Sequence, residues 1–322
     1  MSGKIVLYDF HSDTIISERR DHAKYIVKIV TYEDGGVTWI ATAGWDAKVL
    51  LYRIENQENG RIELERPIAV ATQPTNPESI LFVKQDGVTT PMLITTRRDS
   101  TFIFYYELPT NSPRESNTEP VELVLKGRQN LAPHSNAWIA FTPCAMAISP
   151  RDPYLLAVAT SSMPHMKLII VRLLFPGPET LQFGSASQPS VASLIDSLDS
   201  TTSPQSAQAR TALALQDREA AAIQVHSTTL APQTQYSTPA LAWRPNGSGV
   251  WVNSDDGVVR GIETSTGKVV SALNGHDLGS KIRCLWAGTV DLEDREGEAA
   301  KEEWLVTGGF DQKLIVWRIE QV

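Results

Sequence analysis

Two histidines of this 322-residue chain stand upstream of a threonine and an aspartate that share one spacing. In both sets the threonine lies four residues before the aspartate, and an aromatic residue lies six residues after it. A turn carboxylate accepts backbone N–H bonds, and a hydroxyl and an incoming histidine extend it into a buried polar chain, which is tolerated when every group is bonded. We therefore expect these residues to hold the turns in place rather than to catalyse a reaction. The sets are His22, Thr42, Asp46 and Tyr52, and His276, Thr307, Asp311 and Trp317.

The elements that position these residues are predicted to be hairpins. The apolar runs "WIATA" and "KVLLYRI" predict two strands, and "GWDA" between them predicts a tight turn in which Gly and Asp supply the backbone geometry. The segment "LITTRRDSTFIFYYEL" repeats the pattern, because Thr95, Asp99 and Tyr105 keep the same offsets. A hairpin that recurs along the chain predicts a repeat architecture.

The recurring residues resemble the His, Ser/Thr, Asp, Trp tetrad of the WD-repeat family. This resemblance implies an all-β propeller that occupies residues 1–322 as a single domain, with five readable blades in a ring of five, six or seven. Blade one is expected at about residues 25–66 and blade two at about 78–126. Blade three lacks the turn aspartate, and in blade four Val252 and Ile262 stand where Thr and Trp are expected.

The two ends of the chain decide how such a ring closes. The last blade, from "GHDLGSKIRCLW" to "KLIVWRIE", supplies three strands, and residues 13–20 are the expected donor of its fourth, since pairing the chain ends removes exposed edges. Residues 4–10 are predicted to be the third strand of a blade whose first two strands are absent. Three alternatives follow: a ring of six or seven blades built partly from an insertion, a shortened chain, or a partner that completes an open ring.

An insertion at residues 176–222 interrupts the repeat. It is rich in Ser, Ala, Gln and Thr, which predicts a flexible segment. Residues 206–223 within it contain strong helix formers after a candidate cap at Ser206. This favours an alternative in which the segment is a docking helix for a partner. Its apolar side would carry Leu213, Leu215 and Ile223.

Composition narrows the classes of function. A formal net charge of -8 argues against a general attraction to nucleic acid or to anionic membranes. The acidic residues 290–304 are expected to form a solvated loop. The start "MSGKIVLYDF" lacks a signal-peptide pattern, so we expect a cytoplasmic or nuclear protein. Cys144 and Cys284 are predicted to be buried thiols rather than a disulfide or a metal site.

Catalytic and cofactor motifs are absent from the sequence. It contains no G-x-S-x-G elbow, no P-loop and no H-E-x-x-H. The histidines outside the two sets show no paired metal-ligand spacing. We therefore expect no enzymatic activity, no metal and no cofactor. These other histidines are His11, His134, His165 and His226.

The resemblance also implies a partner-binding face. In WD-repeat proteins the residue before the turn aspartate commonly lies where partners dock, and Trp, Arg and Phe are enriched in interface cores. We predict a non-catalytic scaffold or adaptor subunit that binds other proteins in an intracellular multiprotein complex. The alternatives are an accessory subunit of an RNA- or chromatin-processing complex and a propeller hydrolase with carboxylates in its channel. The predicted face comprises Trp45, Arg98, Asp255 and Phe310.

Overall fold

The computed structural model describes residues 3–55, 64–109, 119–135, 141–177, 204–293 and 299–319. Apart from the helix α1 (Pro204–Ala222), the elements described below are β-strands. The strands are β1 (Ile5–Asp9), β2 (Thr14–Arg19), β3 (Ile26–Asp34), β4 (Val37–Gly44), β5 (Lys48–Glu55), β6 (Ala69–Thr72), β7 (Pro77–Val83), β8 (Met92–Arg97), β9 (Phe102–Glu107), β10 (Val121–Glu122), β11 (Val124–Asn130), β12 (Thr142–Ile148), β13 (Leu155–Ser161), β14 (His165–Arg172), β15 (Ile223–Pro232), β16 (Leu241–Trp243), β17 (Gly249–Val252), β18 (Val258–Glu263), β19 (Val269–Asn274), β20 (Ile282–Glu293), β21 (Ala299–Gly309) and β22 (Leu314–Ile319).

Five sheets follow one another along the chain after a separate two-stranded hairpin, β1–β2. Within each sheet, consecutive strands pair antiparallel, and the short β10 adds to β6 in parallel. The predicted all-β class is confirmed. Sheet 1 comprises β3–β6 and β10, sheet 2 comprises β7–β9 and β11, sheet 3 comprises β12–β15, sheet 4 comprises β16–β19, and sheet 5 comprises β20–β22.

Sheets 2, 3 and 4 each pack one face on the sheet before them and the other on the sheet after them, and sheet 1 lies between the β1–β2 hairpin and sheet 2. In sheet 1, Ile40 and Leu50 pack against Ile5 of the β1–β2 hairpin. On the opposite face, Ala41 and Ala43 belong to the cluster shared with sheet 2. Similar clusters join sheets 2 and 3, sheets 3 and 4, and sheets 4 and 5. The first strands contact one another in the order β3, β7, β12, β16 and β20, which is the arrangement of blades around an axis.

The β1–β2 hairpin corrects the predicted closure of the ring. β2 pairs antiparallel with β1, from Ile5 opposite Arg19 to Asp9 opposite Thr14. Residues 13–20 therefore do not supply a fourth strand to sheet 5, and closure by the N-terminal strand is wrong. The reason is local, because a short turn with φ of 54° at Asp13 folds β2 directly back onto β1. Among the described residues, β22 pairs with β21 alone.

The start of α1 differs from the predicted one. The helix begins at Pro204, so Ser206 lies inside it and is not its cap. Proline suits a first helical position, since the missing N–H needs no partner there. Residues 204–222 of the predicted insertion form this helix, and residues 178–203 lie outside the described residues. The flexibility of the insertion stays a prediction.

The C-terminal part of α1 is held against the protein's own sheets. The Glu219 carboxylate accepts the backbone N–H of Asn130 on β11 at 2.7 Å, and Ala222 is buried in the cluster between sheets 2 and 3. Burial raises the pKa of Glu219, while the Asn130 bond opposes that rise. Leu213 and Leu215 are exposed. The predicted docking helix within 206–223 thus keeps a free side, although one end serves the fold; Ile223 begins β15.

The acidic segment 290–304 is mostly strand rather than the predicted loop, because β20 reaches Glu293 and β21 starts at Ala299. Glu303 is buried, and its carboxylate accepts two hydrogen bonds from Arg244, at 2.8 Å from Nε and 2.9 Å from Nη2. This fork compensates the buried charge and joins sheet 5 to sheet 4.

The two thiols have different settings. Cys144 on β12 is half-buried, and burial raises its pKa to about 12. Cys284 on β20 is exposed, so the prediction of a buried thiol is wrong there. Its side chain lies on the face of sheet 5 that no later sheet of the described chain covers, as shown by its pairing opposite Gly308.

The Arg244–Glu303 pair is expected to stabilise the fold strongly. Arg244→Met removes the cation and leaves a buried carboxylate without compensation, which should lower the free energy of unfolding by about 2–4 kcal/mol. The control is Lys301→Met, because Lys301 pairs with Asp291 at 3.6 Å with both side chains largely exposed. That substitution should cost less than about 1 kcal/mol. Denaturant unfolding of the two variants measures the difference, and equal losses would contradict the assignment.

Candidate functional site

A polar chain closes the last hairpin of sheet 5. His276 Nδ1 lies 3.0 Å from both carboxylate oxygens of Asp311, and Nε2 lies 2.8 Å from Thr307 Oγ1. Trp317 Nε1 donates to the same hydroxyl oxygen at 3.2 Å. Because an ionised carboxylate can only accept, we assign a hydrogen to Nδ1, and the threonine hydroxyl donates to Nε2. All members of the chain are then satisfied.

The Asp311 carboxylate also binds backbone. It accepts the N–H of Asp277 at 3.0 Å and that of Lys313 at 3.3 Å. Burial of Asp311 opposes ionisation, but the Asp277 N–H, the His276 ring and the Lys313 N–H together lower its pKa to about 2. One side chain thus links the turn after β21 to the loop that enters β20.

The first hairpin of sheet 1 repeats this arrangement. His22 Nδ1 lies 3.0 Å from Asp46, and Nε2 lies 2.8 Å from Thr42 Oγ1. Burial acts to raise the pKa of Asp46, but hydrogen bonds from His22 and the Ala23 N–H lower it below its usual value. The aromatic position differs from that of sheet 5, because the Tyr52 hydroxyl donates to Asp21 at 3.2 Å.

Two glycines make room for these pairs. A Cβ atom on Gly44 would lie 2.3 Å from His22 Nδ1 and 2.6 Å from the Asp46 carboxylate. A Cβ atom on Gly309 would lie 2.7 Å from both His276 Nδ1 and the Asp311 carboxylate. Both glycines stand two residues before the aspartate, so this spacing is a sequence signal for the histidine–aspartate pair.

The hairpin of sheet 2 departs from the predicted tetrad. Gln73 occupies the place of histidine and donates from Nε2 to Thr95 Oγ1 at 2.9 Å. Asp99 is exposed, and within the described chain no hydrogen bond to its carboxylate is present. Its own φ is 60°, whereas in the other two turns the residue after the aspartate takes that conformation. Arg97 stands in the position that glycine occupies in the other two turns. The Tyr105 hydroxyl donates to Gln129 at 2.7 Å rather than to the threonine of the hairpin.

Sheets 3 and 4 close their hairpins locally, in line with their incomplete sequence patterns. Thr160 Oγ1 donates to the carbonyl of Lys167 at 3.1 Å. Ser254 donates to the carbonyl of Val258 at 2.6 Å, and Asp256 pairs with Arg260 at 2.6 Å. No histidine from a preceding loop takes part in either of these described turns.

Trp45, Arg98 and Phe310 hold equivalent positions in sheets 1, 2 and 5, but Asp255 does not share this position. Each of the three donates its backbone N–H to the carbonyl of the residue before the first strand of its sheet, so these three turns point to the same end of the fold. The bonds are Trp45 to Tyr25 at 3.0 Å, Arg98 to Asn76 at 2.9 Å and Phe310 to Lys281 at 3.0 Å. In sheet 4 the corresponding bond runs from Asn253 to Ala240 at 3.2 Å, whereas Asp255 donates to Pro232 at the end of sheet 3 at 3.2 Å.

Trp45 and Arg98 form one cluster at this end. The Trp45 ring is half-buried, with its centroid 4.1 Å from that of Tyr25. The Arg98 guanidinium lies 5.2 Å from the centroid of the Trp45 ring, and its Nε donates to Glu78 at 2.8 Å. Burial raises the pKa of Glu78, and the Arg98 charge opposes this rise. Trp45 is therefore packed between two sheets rather than displayed.

Phe310, by contrast, is exposed to solvent. It is 66% exposed, and the Arg283 guanidinium lies 4.3 Å from its ring centroid. Tyr236 is 77% and Leu278 is 97% exposed beside it, and these side chains line one shallow concave surface. We call Tyr236, Leu278, Arg283 and Phe310 the Phe310 patch. None of the sequence patterns had pointed to Tyr236, Leu278 or Arg283, because the chain itself places them far apart.

Charge in the Phe310 patch is unevenly compensated. Lys281 pairs with Asp255 at 3.1 Å, and Asp255 also accepts from Thr234 at 2.9 Å. Arg283 Nη1 donates to the Thr238 hydroxyl and to the Tyr236 carbonyl at 3.4 Å, and no carboxylate of the described residues forms a salt bridge with its guanidinium. Asp255 is thus a structural link between sheets, whereas Arg283 is a cation without an acidic partner in the described chain.

In the described part of the chain, no cluster of three or more His, Cys, Asp and Glu side chains is arranged to hold a metal ion. No described helix is long and apolar enough to cross a membrane.

The glycine requirement predicts a steric cost. Gly44→Ala should lower the free energy of unfolding by about 1–3 kcal/mol, because the added methyl group forces His22 and Asp46 apart. The control is the same substitution in a His22→Ala background, where the ring is gone and the carboxylate can turn away. The cost of Gly44→Ala should be smaller there. A double-mutant cycle by denaturant unfolding measures the coupling, and additive losses would refute the steric explanation.

The Asp311 carboxylate predicts a pH dependence. Its pKa is about 2 in the folded chain, against 3.8 as the ordinary value, so the folded state holds its proton less tightly than the unfolded state. Its contribution to stability is therefore complete above about pH 4 and is lost as the pH falls towards 2. In Asp311→Asn the thermal midpoint should fall less steeply between pH 4 and pH 2 than in the unaltered chain. Equal slopes would show that this carboxylate does not carry the effect.

The comparison with known families agrees with this architecture. A family model described as UCP007778, beta-propeller domain, matches residues 1–318. No curated protein matches the chain. The match covers nearly the whole chain and names the fold that the five radiating sheets display. The chain belongs to the UCP007778 beta-propeller domain family.

Proposed function

We propose that this protein is a non-catalytic interaction scaffold or adaptor subunit of an intracellular multiprotein complex, and that it belongs among the WD-repeat propellers. The WD-repeat assignment is supported by the four-membered polar chain of sheet 5, from Trp317 through Thr307 and His276 to Asp311. The partial chain of sheet 1 adds to this support.

The Phe310 patch is the observation that carries the binding proposal. Large apolar side chains with this degree of exposure are uncommon when clustered on a protein surface without a partner. Aromatic residues and arginine are also residue types that are enriched in the cores of interfaces. The backbone N–H of Phe310 is bonded to Lys281, so the ring is presented by a fixed turn and little freedom is lost on binding.

The chemistry of the patch favours a protein segment that presents an apolar or aromatic side chain next to an acidic one. The apolar side chain would lie on Phe310, Tyr236 and Leu278, and the carboxylate would meet Arg283. The net charge of -8 disfavours the alternative of an accessory subunit that contacts RNA directly.

The test compares proteins that co-purify with the full chain and with variants. Phe310→Ala and Arg283→Ala should each weaken capture of the same partner by about tenfold or more, as loss of a central interface residue does. The control is Val270→Ala, since Val270 is also 66% exposed but lies on β19, away from the patch. Capture that is equal for all three variants, with their thermal midpoints unchanged, would reject the patch as the binding site.

A further inference from the structure

The outer edge of β22 is the least protected strand edge of the described chain. Sheets 2, 3 and 4 each end in a fourth strand, whereas sheet 5 ends at β22, its third strand. The backbone groups on the outer side of β22 therefore have no strand partner within the described residues. Unpaired N–H and C=O groups in a row form a template for another strand.

The other outermost strands carry features that discourage such pairing. The pairing of β11, of β15 and of β19 with its neighbour is interrupted by a register shift in each case. β6 is covered by β10. β22 has none of these protections, because its pairing with β21 runs without a shift from Leu314 to Ile319. The sequence "LIVWRI" also lacks proline and glycine and is rich in strand-forming residues.

Alternate residues of β22 direct their backbone N–H and C=O groups towards β21, and the residues between them direct these groups outward. The Gly309 N–H donates to the Lys313 carbonyl, so odd-numbered residues of β22 bond to β21. Leu314, Val316 and Arg318 therefore point their backbone N–H and C=O groups outward. Leu314 is 73% and Val316 is 46% exposed, so the side chains leave the edge accessible.

We propose that this edge pairs with the β22 edge of a second copy of the chain, antiparallel across a two-fold axis centred on Val316. In this register Val316 lies opposite Val316, and Leu314 lies opposite Arg318 on both sides. All three outward-facing residues of each copy are then bonded, and the two three-stranded sheets become one six-stranded sheet.

Side chains support the same register. Arg318 faces Leu314 of the other copy, so no like charges stand directly opposite each other. Ile315 faces Trp317 of the other copy on the opposite side of the sheet, where β-branched and aromatic residues pair favourably. A second copy is favoured over an unrelated strand because the edge is complementary to itself in hydrogen-bond parity, in charge and in side-chain type. This proposal does not depend on the Phe310 patch.

The first test is the mass of the full chain in solution. Sedimentation velocity at increasing concentration should show a monomer–dimer equilibrium. Val316→Lys places two cations directly opposite each other and should weaken dimerisation about tenfold or more. Val270→Lys is the control, because it adds the same charge to an exposed position on another outermost strand, β19, and it should leave the equilibrium unchanged. A monomer at every concentration, or a dimer indifferent to Val316→Lys, would overturn the proposal.

The second test fixes the register in a Cys284→Ser background, which removes the exposed thiol. Val316→Cys should form a disulfide-linked dimer on oxidation, since directly opposed residues lie within disulfide reach. Leu314→Cys alone should not, but a mixture of Leu314→Cys and Arg318→Cys chains should cross-link. Cross-linking of Leu314→Cys alone as fast as Val316→Cys would refute the two-fold axis. This readout remains valid if Val316→Lys impairs folding.

Discussion

Two carboxylates, those of Asp46 and Asp311, tie segments of chain that are separated in sequence. Each accepts the ring N–H of a histidine and the backbone N–H of the residue after that histidine, so the loop entering a sheet is bonded to the turn inside it. These bonds add to the backbone hydrogen bonds that join the same turns and loops, from Trp45 to Tyr25 and from Phe310 to Lys281. The bonds are possible because a glycine two residues earlier leaves space for the ring. These bonds therefore fix the position of the hairpin turn relative to the loop that enters the same sheet.

The same requirement explains why the sheets are alike without being identical. The threonine of the polar chain lies on the face of its sheet that packs on the preceding element, whereas in sheet 1 the other face carries Trp39, Ala41 and Ala43 and packs on sheet 2. Sheets 2, 3 and 4 keep this division of faces but have other hydrogen bonds in place of the histidine–aspartate pair, from Gln73 to Thr95, from Thr160 to the Lys167 carbonyl and from Ser254 to the Val258 carbonyl. Apolar packing between sheets thus maintains the radial order, and the polar chains fix the turns at its two ends.

The sequence predicted the sheets better than their connections. The hairpins could be predicted because apolar periodicity and turn residues are local signals. The Thr and Tyr offsets alone could not predict that Asp99 is exposed. Arg97 stands in the position of the glycine, and the positive φ falls on Asp99 itself rather than on the residue after it. β2 was assigned to sheet 5 because both edges needed partners, but the short turn at Asp13 gives it a nearer one.

The candidate site shows the same limit. Trp45 and Phe310 occupy equivalent positions in the repeat, yet one is packed under Arg98 and the other is displayed. The difference arises from neighbours that are remote in sequence: Tyr25 and Arg98 enclose Trp45, whereas Tyr236 and Leu278 flank Phe310 without covering it. Offsets within a repeat identify which backbone positions are equivalent. They carry no information about which side chains the adjacent sheet contributes, and exposure depends on those side chains.

The last hairpin combines stability with both proposed contacts. Phe310 stands between Gly309 and Asp311, and β22 begins three residues after Asp311. The polar chain that holds this turn also bonds Trp317 of β22 through the Thr307 hydroxyl. Loosening Asp311 should therefore disturb the Phe310 patch and the β22 edge together. A change at Val316 should affect the edge alone, because its side chain lies on the sheet face opposite the one that carries Trp317 and Thr307. The two surfaces are thus separable by mutation although one set of hydrogen bonds supports them.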